Sequence, residues 1–143
     1  MIFPEVKLRK LLANNHELID LMNSMRSTDV HGDPMVFTGK ITDKYTAYNY
    51  SPMIRINYLG SSWRGADNDY DFQIPRILVS FWCKTLAEGQ QLYPLVRKIL
   101  EDNGYLAYDD SHDKDPDSQD SKGKQLYMFR LFVRNINMEE EDK

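Results

Sequence analysis

Residues 72–103, FQIPRILVSFWCKTLAEGQQLYPLVRKILEDN, decide the fold. From Phe72 to Lys84, the apolar residues Ile77, Val79, Phe81 and Cys83 alternate with Leu78, Ser80 and Trp82, the period of two that a strand imposes. Pro75 cannot donate to a ladder and belongs at the start of that strand or at an edge bulge. Thr85 then supplies an N-cap oxygen, and Glu88 three residues later completes a capping-box pattern. Leu86, Tyr93, Val96, Ile99 and Leu100 follow at helical spacing as far as Asn103-Gly104, a stop signal. Pro94 inside this run predicts a bend.

Upstream, a helix is expected from Phe3 to Ala13, with Pro4 at its first position and Glu5 favouring its positive end. Leu8, Leu11, Leu12, Leu18, Ile19 and Met22 continue the spacing, and Asn14-Asn15 either splits the run into two helices or weakens it. Strands are expected over Met35–Thr42, and over Met53–Leu59 with Ile54, Ile56 and Tyr58 on one face. Between them lies DKYTAYNYSP, a loop holding Tyr45, Tyr48 and Tyr50. GSSWRGADNDYD reads as a turn-rich linker carrying Trp63 and Arg64. Leu126–Arg134 alternates again: Tyr127, Phe129, Leu131 and Val133 against Met128, Arg130, Phe132 and Arg134.

The chain of 143 residues fits one α+β domain over 1–136. Its expected core is a mainly antiparallel four-stranded sheet with two helices on one face, in the order α-β-β-β-α-β. The last strand is read as an antiparallel, parallel or non-adjacent neighbour of the third. The uncovered face would show Arg55, Asn57, Ser80, Trp82, Arg130, Phe132 and Arg134. That mixture is too apolar for free surface and too charged for a core, so it reads as an interface.

Charge is unevenly placed. Residues 109–121 hold six aspartates and one lysine, a local −5, and Glu139–Lys143 carry −3, which leaves +4 on the rest of a chain of net −4. Segment 109–124, with Asp109, Asp110, Asp113, Asp115, Asp117 and Asp120, reads as an inserted mobile acidic loop, and 137–143 as a disordered acidic tail. The bland reading is solubility; the sharper one is a negative surface turned toward a partner or a channel.

Catalytic chemistry is not expected. His16, His31 and His112 lack metal-ligand spacing, Cys83 sits mid-strand, and glycine-rich phosphate loops are missing. Asp113, Asp115 and Asp117 imitate a calcium loop, but Ser118 stands where Gly is needed, Lys124 where a bidentate Glu is needed, and Pro116 interrupts the ligands. One cysteine leaves no disulfide framework or cysteine-rich zinc site, and no cofactor is expected. The N-terminus does not read as a secretory signal, and a membrane span is not expected. Arg55, Arg130 and Arg134 with Trp82 and Phe132 could imitate a nucleic-acid platform, which the acidic segments would oppose.

Taken end to end, the pattern resembles the tail terminator (tail completion) proteins of long-tailed phages. The residues that carry the likeness are FPEVKLRKLLA at the N-terminus, SPMIRINYLG, the strand-to-helix unit YDFQIPRILVSFWCKTLAEGQQLYPLVRKILEDNGY, and QLYMFRLFVRN. The resemblance implies a virion neck subunit, assembled in the host cytoplasm, that closes into a ring, as a hexamer in the virion, from copies that can be monomeric in solution. Such a ring caps the tail tube protein, stops its polymerisation and docks on the head-tail connector protein, while DNA passes through without being specifically bound. Ring closure needs two different complementary patches on each subunit. Tyr45, Tyr48, Tyr50, Trp63 and Arg64 join the sheet-face residues as candidate contacts, and the acidic segment would line the lumen. A head-completion adaptor and a small nucleic-acid-binding or metal-dependent enzyme domain are the alternatives.

Overall fold

In the computed structural model, which describes residues 2–42, 45, 48–64 and 72–135, Thr85 caps its helix and Glu88 reaches back to the residue before the cap. The Thr85 Oγ1 accepts from the Glu88 N–H at 3.1 Å, and Glu88 Oε1 accepts from the Lys84 N–H at 3.0 Å. Helix α3 spans Leu86–Asp102, and its buried residues are Gly89, Leu92, Val96, Ile99 and Leu100. It stops at Asn103, after which Gly104 takes a left-handed φ of 85° that suits glycine. Pro94, where the sequence predicts a bend, lies exposed inside this one continuous helix.

The asparagine pair splits the N-terminal run. Helix α1 (Pro4–Ala13) ends at Asn14, and α2 (His16–Met25) starts at Asn15, whose side chain accepts from the Leu18 N–H at 3.0 Å. Among the described residues, three α-helices therefore replace the expected two. Leu8 and Leu12 of α1 and Leu18 and Met22 of α2 are fully buried.

Among the described residues the sheet has five strands, not four: β1 (Val36–Thr38), β2 (Met53–Arg64), β3 (Phe72–Cys83), β4 (Tyr105–Asp115) and β5 (Leu126–Asn135), in spatial order β1-β2-β3-β5-β4. It is mixed, because β1 runs parallel to β2 while the other pairs are antiparallel. The first strand covers only 36–38 of the expected 35–42. β2 continues past Leu59 through a register shift between Tyr58 and Gly60, so Trp63 and Arg64 lie on a strand, opposite Gln73 and Phe72, not in a linker. Pro75 pairs with Ser61, one residue beyond the span of β3 that β5 covers.

The largest correction concerns the acidic segment. Residues 105–115 pair with β5 from Tyr105↔Asn135 to Asp115↔Leu126, and Pro116–Ser118 form a 3-10 turn. What reads as a loop is an edge strand and its hairpin turn. β5 then returns beside β3, antiparallel, which settles the open relation between those two strands.

Ile54, Ile56, Ile77, Val79, Phe81, Phe129, Leu131 and Val133 form the helix-covered face and are buried. Phe81 and Phe129 stack with centroids 5.0 Å apart, and His112 of β4 stacks on the outer side of Phe129 at 5.4 Å. Cys83 is fully buried, and burial followed by the nearby Glu88 pushes its thiol well above the usual range. An aromatic disulfide reagent at pH 8 should therefore leave the folded protein unlabelled and titrate one thiol per chain only in denaturant.

Candidate interaction face

Alternation along β2, β3 and β5 sends a second set of side chains to the face without helices, and the strand register aligns them. Arg55 pairs with Ser80, and Ser80 with Arg130, so arginine, serine and arginine form one row across three strands. Ser111 of β4 ends the row opposite Arg130. Below it, Met53 pairs with Trp82, and Trp82 with Met128; above it, Leu78 pairs with Phe132. The Arg55 guanidinium stands 5.0 Å from the Trp82 ring, a cation–π contact. Trp82 Nε1 donates to Asp115 Oδ2 at 2.8 Å.

Four buried polar atoms on this face lack a hydrogen-bond partner: Arg55 Nε, Asn57 Oδ1, Ser80 Oγ and Arg130 Nε. Elsewhere among the described residues, only Glu5 Oε2 shares that state. More than nine in ten buried polar groups ordinarily find a partner, so four such atoms on one sheet face are unusual. Phe132 is half-buried and lies 6.3 Å from Tyr108, and Arg134 is exposed at the end of the face.

The remaining candidates scatter. Tyr45, Tyr48 and Tyr50 are half-buried against the core. Tyr45 meets Tyr50 edge-on at 5.3 Å and Phe37 at 6.1 Å, so this part of the trio packs the loop locally. The backbones of Trp63 and Arg64 belong to β2, and their side chains lie outside the described residues.

The acids do not form one negative surface, because the strand sends them to both sides. Asp109, Asp113 and Asp115 face the open side with Phe132, Met128 and Leu126, whereas Asp110 faces α3. Asp110 Oδ2 accepts from the Tyr93 hydroxyl at 2.6 Å, and Arg97 donates to the same hydroxyl at 3.0 Å. Burial, then the bond to Asp110, holds the Tyr93 phenol above its usual value. Asp115 Oδ1 accepts from the Asp117 N–H, and Asp120 Oδ1 from the N–H groups of Lys122 and Lys124, so these carboxylates shape the turn. Asp117 is exposed. Asp113, Asp115 and Asp117 do not converge as a calcium loop would require, and no group of three or more His, Cys, Asp or Glu that could hold a metal occurs among the described residues. No helix among them is long and apolar enough to cross a membrane.

Lys84, Lys114, Lys124 and Tyr127, which the sequence does not single out, gather beside the amino end of α3. Their positions of 84, 114, 124 and 127 give no spacing signal, since the β4–β5 hairpin and the pairing of β5 with β3 bring them together. Searches with the sequence found no matching protein-family model and no matching curated protein.

Proposed function

We propose that this chain is a structural subunit that works by shape-matched contact and closes into a ring, with the open sheet face as one of its two contact patches. The observation that carries the reading is the cluster of four orphan polar atoms around the Arg55–Ser80–Arg130 row. Flanked by Trp82, Met128 and Phe132, this row has the arginine-rich, aromatic composition of an interface core. The resemblance to tail terminators supplies the assembly: a ring that caps a tail tube and joins it to the head connector. The sheet-face residues Arg55, Trp82, Arg130, Phe132 and Arg134 are the proposed contacts. In this reading the exposed carboxylates of β4 discourage phosphate contact along a DNA path.

The test is negative-stain imaging of the purified chain, alone and with the tube protein, beside an Arg55→Met/Arg130→Met variant. Rings should form with the native chain, on tube ends if not in isolation. The variant should require at least about tenfold more protein to form them, since buried interface arginines are frequent hot spots. Its melting temperature should fall only slightly, because both Nε groups are unpaired in the single chain and the contact given up is that of Arg55 with the Trp82 ring. Absence of rings under both conditions, or rings indifferent to the two substitutions, overturns the proposal.

A further inference from the structure

Three lysines surround one cleft at the amino end of α3. Lys84 Nζ and Lys124 Nζ stand over the Tyr48 ring, 5.8 and 5.6 Å from its centroid. Lys114 Nζ stands 5.7 Å from the centroid of Tyr127. All five residues line a cavity of about 460 Å³ together with Thr85, and no carboxylate is among the residues lining it. The chain as a whole is net −4, so this concentration of positive charge runs against its composition.

Two features add to the cations. The N–H groups of Leu86 and Ala87, in the first turn of a helix of 17 residues, have no partner within the helix, and they lie at the positive end of its dipole. The nearby Glu88 carboxylate is already engaged by the Lys84 N–H, and Lys84 Nζ also lies 3.2 Å from Ser27 Oγ. Like charges drawn around one cavity repel, and a bound anion relieves that repulsion.

We propose that this cleft binds a compact phosphate-bearing anion of two or more charges, such as pyrophosphate or a nucleoside diphosphate. Lysine acts on such a ligand as a point charge, and three ammoniums suit a compact multivalent anion better than a planar carboxylate, which prefers the arginine fork. The inference goes beyond the ring reading and does not rest on it.

The experiment titrates the full chain with pyrophosphate, ADP and a single-stranded oligonucleotide, followed by calorimetry and amide NMR shifts. Pyrophosphate and ADP should bind saturably, with shifts at Thr85, Leu86, Gly123 and Gln125. Lys84→Gln, Lys114→Gln and Lys124→Gln should each weaken binding at least about fivefold, and added salt should weaken it further. Lys122→Gln, in the same turn but outside the cleft, should change nothing. Melting curves should be shared by all four variants, because Lys114, Lys122 and Lys124 are exposed and Lys84 is half-buried at the surface. Failure to saturate by about 10 mM ligand, or equal loss in Lys122→Gln, overturns the site. Tighter, lysine-dependent binding of the oligonucleotide overturns the compact-ligand assignment.

Discussion

Gly89→Ala should lower the unfolding free energy by about 2–3 kcal/mol, although alanine is the better helix former. A Cβ at this position falls 2.0 Å from Phe129 Cζ, 2.5 Å from Cε2 and 2.7 Å from Cε1, distances no packed carbon tolerates. The phenylalanine cannot easily retreat, since Phe81 stacks on one side of its ring and His112 on the other. Either α3 lifts from the sheet or the stack breaks, and both expose apolar surface. The helix-propensity gain of roughly 1 kcal/mol offsets only part of this cost. Urea denaturation of the single chain measures the difference directly. Adding Phe129→Leu to Gly89→Ala should recover part of the loss, a positive coupling that distant sites do not show. Additive losses would mean that the two residues do not oppose each other.

Phe81→Ala should cost more, about 4 kcal/mol. Phe81 is fully buried, pairs with Ile54 on β2 and Phe129 on β5, and is the inner member of the aromatic stack. Truncation leaves a cavity that rigid neighbouring strands cannot fill. A domain of ordinary stability, roughly 5–15 kcal/mol, would lose a large share of its margin. Phe81→Leu should cost about half as much, because most of the volume stays. Urea midpoints of the two variants give the comparison, and equal losses would point to ring stacking, not volume, as the source of stability.

The strand-to-helix unit was legible because its signals are local: alternation over 72–84, a capping box at Thr85 and Glu88, and the Asn103-Gly104 stop. The Asn14-Asn15 pair signalled only a break or a weakening of the N-terminal run, and the capping of α2 by the Asn15 side chain is what makes it a break. β4 was not legible, for a physical reason. Its aspartates prefer turns, and two of them show that chemistry within the strand, Asp109 accepting from the N–H of Asp110 and Asp113 from that of Lys114. What holds them extended is β5, a partner that follows the acidic hairpin turn, and a tertiary partner leaves no local trace. Charge along a free edge also blunts strand-to-strand association, so the composition that hides the strand suits its place.

The same division holds for the interaction face. Its members, Arg55, Ser80, Trp82, Arg130, Phe132 and Arg134, follow from alternation alone. The alignment of Arg55, Ser80 and Arg130 into one row does not, since it depends on β5 entering beside β3. The orphan atoms emerge only from that alignment, and so does the lysine cleft, whose residues come from a strand, a turn and a helix start.

Because β5 separates β3 from β4, a growing polypeptide halted near Lys124 on the ribosome has β4 without any sheet neighbour and one side of β3 bare. Until residues 126–135 leave the exit tunnel, the apolar underside of α3 lacks Phe129, Leu131 and Val133 to rest upon. Translation speed across that short stretch thus sets how long a sticky, half-built sheet is offered to chaperones and proteases.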